Sequence, residues 1–237
     1  MPFSRETLDF LVENRLRDSR AWFGEHKAEY QKWVIQPLKE MVEALTPHML
    51  AIDDQFVTQP RVDKTISRIW RDTRYTHDPS LYRDSMWIIF KRGRMHATEV
   101  PGIYFDLGPY GFSYGCGFYH ASTGYMNTLR QMILRDDPAF KKAQAAYARQ
   151  RIFAMEGECY KRPHYSDQPG EKALWLERRN IGFSKESRDF DLLYSDRLAQ
   201  VVADDLAMLS PVYHFLLAAA QEENMRDVGH AALEAEK

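Results

Sequence analysis

Two alternating runs joined by a tight turn limit the folds open to this chain. In residues 102–107, Ile103, Phe105 and Leu107 alternate with Tyr104 and Asp106. Gly108-Pro109-Tyr110-Gly111 supplies turn residues. Phe112, Tyr114, Cys116 and Phe118 then alternate with Ser113, Gly115, Gly117 and Tyr119. A period of two puts each set on its own face, so the pattern predicts an antiparallel hairpin with one apolar face and one small or polar face. Gly115 and Gly117 leave room on that second face for another backbone, an aromatic ring or a ligand. Residues 86–91 (Met-Trp-Ile-Ile-Phe-Lys) read as a further strand rich in β-formers.

The period lengthens toward both ends of the chain. Ser4 is placed to cap a short helix carrying Leu8, Leu11 and Val12, and Asp18-Ser19 to cap a second. The second carries Trp22, Phe23, His26, Tyr30, Trp33, Val34, Leu38, Met41, Val42 and Leu45 at steps of three and four, a single core-facing stripe. Pro37 interrupts it and removes a backbone donor, so a kink or break is expected there. Ser122-Thr123 opens a helix with Met126, Leu129, Arg130 and Ile133, and Asp137-Pro138 opens another. Short strands are expected near 152–153, 158–161 and 181–185, with a helix after Pro169 between the last two. A final helix from Ser195 is punctuated by Pro211. Helices at both ends and strands between them predict an α+β fold: a mostly antiparallel sheet with a central hairpin, packed by N-terminal and C-terminal helices. No joint is rich enough in Gly, Pro and Ser to split the chain. The expectation is one domain over residues 1–237, its acidic tail from about 222 loosely ordered.

With 237 residues and 44% hydrophobic content, the chain can bury a sizeable core. A net charge of -2 argues against a nucleic-acid binder held by bulk charge. The charge is uneven, however. Residues 61–94 hold nine Lys or Arg against four Asp, a balance of +5, whereas Gln221 onward holds five acids against two bases, -3. Cys116 and Cys159 are far apart and form no CxxC, no apolar run approaches the roughly 20 residues that span a bilayer, and no secretory leader is expected before Phe3. The expected setting is the cytoplasm, without a membrane partner.

Residues 66–83 concentrate the functional question. Arg68, Arg71, Arg74 and Arg83 stand among Ile66, Ile69, Trp70, Tyr75 and Tyr82. A guanidinium against a core edge needs either an acidic side chain of the protein or an anionic ligand. If 66–75 is a strand, Arg68, Trp70, Asp72 and Arg74 share a face. The two arginines then make a fork for phosphate or carboxylate, with Asp72 as their internal partner. The structural alternative is an Arg–Asp network that staples sheet to loop.

Several stretches together carry a resemblance. They are residues 20–27 (Arg-Ala-Trp-Phe-Gly-Glu-His-Lys), 66–75 (Ile-Ser-Arg-Ile-Trp-Arg-Asp-Thr-Arg-Tyr), 101–104 (Pro-Gly-Ile-Tyr), 115–119 (Gly-Cys-Gly-Phe-Tyr), 161–163 (Lys-Arg-Pro) and 209–216 (Leu-Ser-Pro-Val-Tyr-His-Phe-Leu). In order and spacing they resemble the family catalogued as domain of unknown function 2461, over almost the whole chain. The resemblance implies a single α+β domain and brings no reaction, cofactor or partner. Members typically read Asp-Lys-Ser-Pro-Tyr-Lys after the arginine segment. Here Asp78-Pro79-Ser80-Leu81-Tyr82-Arg83 lacks that lysine and that proline.

The expected ligand is a small anion bearing phosphate or carboxylate groups. The candidate site is Arg68, Arg71, Asp72, Arg74, Tyr82 and Arg83, with Arg130 and Lys161 converging from elsewhere. Whether chemistry follows binding is left open, and the residues name neither a cofactor nor an oligomeric state. A protein or single-stranded nucleic-acid module, with Tyr104, Tyr114, Phe118 and Tyr119 as stacking rings, is the alternative, ranked lower because the net charge is negative. Gly111-Phe-Ser-Tyr-Gly115 matches the nucleophile-elbow pattern but lacks the strand–turn–helix context that the motif needs. The eight histidines form no H-x-H, H-x-x-x-H or H-E-x-x-H spacing, so no metal site is expected. His77-Asp78 reads as a turn former before it reads as an acid–base pair.

Overall fold

The turn and the alternation fold as expected. A computed structural model of the chain describes residues 3–73, 77–95, 99–118 and 120–235, with side chains described as far as residue 225. Strands β2 (Gly102–Gly108) and β3 (Gly111–Gly117) flank the Pro109-Tyr110 turn, in which Tyr110 is exposed. With β1 (Met86–Lys91), β4 (Ala154–Glu156) and β5 (Gly182–Ser187) they form one antiparallel sheet in the order β1-β2-β3-β5-β4. The fold is α+β. The glycines of β3 admit a backbone: a Cβ on Gly115 would overlap the Phe183 carbonyl oxygen of β5, and one on Gly117 would lie 2.8 Å from the Gly182 Cα.

The chain divides into two compact units. One comprises Met1–Met95, Tyr104–Tyr114 and Glu186–Asp205, the other His96–Ile103, Gly115–Lys185 and Leu206–Lys237. Strands β2, β3 and β5 each run from one unit into the other.

In the first unit, helix α1 (Arg5–Arg17) is followed by α2 (Arg20–Glu25), whose Ser19 cap accepts a hydrogen bond from the Trp22 N–H at 3.3 Å. A short α3 (Lys27–Glu29), a π-helical stretch (Tyr30–Ile35) and α4 (Gln36–Ile52) continue the rod. The expected break is thus a wider turn just before Pro37, with Gln36 N bonding Gln31 O. Proline cannot donate to the carbonyl four residues back, that of Trp33. The Thr7 hydroxyl donates to it instead, at 2.7 Å. Leu11, Val34, Leu38, Met41, Val42 and Leu45 are fully buried, at about 1.5–3 kcal/mol of transfer free energy each. On the apolar sheet face, Phe105 stacks on Phe3 at 5.8 Å and meets Phe112 at a tilt, 5.9 Å away. A bidentate pair from Arg92 to the buried Asp53 (2.7 and 2.9 Å) fastens the ends of β1 and α4. The unit also holds α8 (Phe190–Leu193) and the start of α9 (Leu198–Met208).

In the second unit, α5 (Thr123–Leu134) and α6 (Pro138–Arg149) begin at Ser122 and Asp137, whose side chains accept from Tyr125 N and Ala139 N. They pack on α10 (Ser210–Ala235), and α5 packs on α7 (Gly170–Leu176). Pro211 falls in the first turn of α10, where a missing N–H costs nothing. Trp175 meets Phe140 edge-on at 5.5 Å and Phe215 at 6.0 Å in the core. The strand expected at 152–153 lies at Ala154–Glu156, and that at 158–161 reduces to one bridge between Cys159 and Arg178. Among the described residues, no single helix is long and apolar enough to cross a membrane.

Candidate functional site

Residues 66–71 form isolated bridges rather than a regular strand. Ile66 bridges Ile88 of β1, and Trp70 bridges Tyr82. Arg71 N donates to Leu81 O and Arg83 N to Ile69 O, both at 2.8 Å. This short antiparallel pairing sorts the side chains. Trp70 and Tyr82 fall on one side, their rings 4.4 Å apart and joined by Phe23 at 5.1 Å from Tyr82. By alternation Arg71 and Arg83 fall on the other, as diagonal neighbours.

Asp78 anchors the arginine side. Its carboxylate accepts from Ser80 N at 3.0 Å and from the Ser80 hydroxyl, closing a turn as expected of His77-Asp78. The same carboxylate meets Arg15 Nη2 at 2.6 Å and Arg71 Nη2 at 3.1 Å. Arg15 also donates through Nη1 to the Tyr82 carbonyl at 3.0 Å. The Ser80 hydroxyl and N–H, and then Arg15, hold Asp78 well below the usual carboxylate range. Two guanidinium groups thus share one carboxylate, and the buried Nε of Arg71 has no hydrogen-bond partner among the described residues. Tyr82 is fully buried and its hydroxyl has none either; burial pushes its pKa up.

Arg83 lies with its guanidinium carbon 4.5 Å over the Trp87 ring. Trp87 alternates with the buried Met86 and Ile88, so it stands on the sheet face that carries Tyr104 and Asp106. Burial, and then the neighbouring Asp84, push Asp106 up to about 6, against the pull of Arg83. The segment entering β1 passes close to the end of β2: a Cβ on Gly108 would lie 3.2 Å from the Ser85 Cβ.

The other candidates lie apart from this cluster. Arg68 is exposed and paired to Asp63 rather than to Asp72. Asp72 is exposed. Arg74, Tyr75 and Tyr119 lie outside the described residues. Arg130 and Lys161 belong to the second unit. There Arg130 is buried and all three guanidinium nitrogens donate, to Leu176 O (3.1 Å), Asn127 Oδ1 (3.1 Å) and Arg178 O (2.6 Å), with Tyr160 5.1 Å from the guanidinium carbon. It ties the end of α7 to α5. Lys161 is exposed. Of the sequence candidates, the first unit groups Arg71, Tyr82 and Arg83. Arg15, Asp78, Asp84, Trp87 and Asp106 join them. Asp106 carried one signal, an acid on the polar face of an otherwise aromatic strand; Arg15 carried none.

No metal-holding group of three His, Cys, Asp or Glu occurs among the described residues. Ser113 sits inside β3, without the turn and helix that a nucleophile elbow requires. No curated protein matches the chain. Residues 6–215 match the sequence profile of a family described as "Conserved hypothetical protein (DUF2461)". That span includes every group of the cluster, and the chain belongs to this family.

Proposed function

We propose that the first unit binds a small anion bearing phosphate or carboxylate groups between the guanidinium groups of Arg15, Arg71 and Arg83. The observation that carries this reading is the shared carboxylate. Asp78 serves both Arg15 and Arg71, while Arg71 keeps a buried Nε without a partner among the described residues. A buried donor left unmade costs about 1–3 kcal/mol, which an oxyanion taking Nε and Nη together recovers. Trp87 packs against the Arg83 guanidinium and limits its freedom, which lowers the cost of ordering it around a ligand. Pro79 supplies no ammonium beside the cluster, so recognition rests on guanidinium forks. The free thiols of Cys116 and Cys159 support placing this binding in a reducing cytoplasm.

The test is thermal stabilisation across a panel of phosphate esters and dicarboxylates. Wild type is expected to gain stability with at least one class, because any ligand of the folded state raises it. Arg71→Ala and Arg83→Ala are expected to lose that gain, and Arg68→Ala, which changes only the exposed pair with Asp63, to keep it. A panel that leaves the wild type unmoved ends the proposal.

A further inference from the structure

Asp106 makes no ion pair among the described residues, yet it feels the charge of Arg83. Its strand position puts it on the face of Trp87, over which the Arg83 guanidinium lies at 4.5 Å. The charged groups acting on it are Asp84 and Arg83, both from the segment entering β1. On the flanking strand β3, that face carries the neutral Gly111, Ser113, Gly115 and Gly117; Lys91 shares the face of β1 at the strand's other end. Two carboxylates and one guanidinium leave this corner unfavourable for an incoming anion. Neutralising one carboxyl removes a repulsion and turns an acceptor into an O–H donor.

We infer that an oxyanion binding beside Arg83 enters together with one proton, taken up by Asp106. This rests on the anion-binding reading above and specifies how that site is regulated. Asp106 is the group that takes the proton because it is the one held near neutrality, at about 6, whereas Asp78 is held low by its hydrogen bonds. Linkage is reciprocal: the anion raises the proton affinity of Asp106 by the factor by which the proton raises anion affinity. The ligand class that fits is a phosphate monoester or a similar doubly charged oxyanion.

Inorganic sulfate is the probe, since it keeps its charge across the range. Its binding is measured by titration calorimetry from pH 5.0 to 7.5 at fixed ionic strength. Wild-type affinity is expected to rise about tenfold from pH 7.5 to 5.0. Asp106→Asn, always neutral, is expected to bind at pH 7.5 as tightly as the wild type at pH 5.0, with a flat profile. Asp84→Asn is expected to shift the rise to lower pH, because the charge it removes raises Asp106. Sulfate binding that is flat in the wild type, or a rise that survives in Asp106→Asn, overturns the coupling and leaves the anion site standing. Absence of sulfate binding at every pH overturns both.

Discussion

Asp106 and Asp78 are two carboxyls that their surroundings push in opposite directions. Burial and Asp84 raise Asp106 to about 6, so between about pH 4 and 6 the folded chain holds a proton there that the unfolded chain, with its carboxyl near 3.8, has released. Its charged form is a penalty on the folded state, absent below about pH 4 and full above about pH 6. Asp106→Asn is therefore expected to stabilise the protein on the order of 1–2 kcal/mol at pH 7 and to converge with the wild type near pH 4. Urea denaturation at stepped pH checks this, and a gain that does not fade on acidification contradicts it. Asp78 runs the other way: its lowered pKa gives stability present above the ordinary carboxylate range and lost as pH falls below it. None of this was legible from the residues alone. Asp106 reads as the polar half of an alternation, and its environment is made by Asp84 and Arg83, more than twenty positions earlier.

At the scale of elements, local rules did well wherever the controlling atoms lie within a few residues. Ser19, Ser122 and Asp137 cap the helices that follow them, and Gly108-Pro109-Tyr110-Gly111 turns the hairpin. The π-helical stretch before Pro37 is different. Proline signals a defect, but its form depends on what takes the orphaned Trp33 carbonyl, and that donor is Thr7 on another helix. Thr7→Val keeps the shape and removes the hydroxyl. It is expected to cost about 1–2 kcal/mol in urea denaturation, whereas an unchanged midpoint means that water or a backbone N–H replaces the bond. Strand β4 was displaced in the sequence reading because three residues are too few to show a period.

At the scale of the molecule, β3 and β5 pair across some seventy intervening residues, and the small side of β3 permits it. Gly115→Ala would drive a methyl into the Phe183 carbonyl and is expected to cost about 3 kcal/mol or more, or to prevent folding. A stable protein with an unshifted melting curve would show that this strand pair has room to move. The arginines of the chain, meanwhile, are resolved into separate tasks. Arg68 makes a surface pair, Arg130 ties α7 to α5 inside the second unit, and Arg15, which no motif marked, shares Asp78 with Arg71.

The amino-acid order by itself determined the α+β class, the hairpin, the principal helix caps and the family, since each depends on periodicity or on neighbours along the chain. Only the tertiary structure decided which guanidinium meets which oxygen. Arg15 and Asp78 stand 63 positions apart, and Arg130 reaches Leu176 O across 46. Charge pairing acts through space, over a few ångströms and through whatever medium lies between, so spacing along the chain does not encode it.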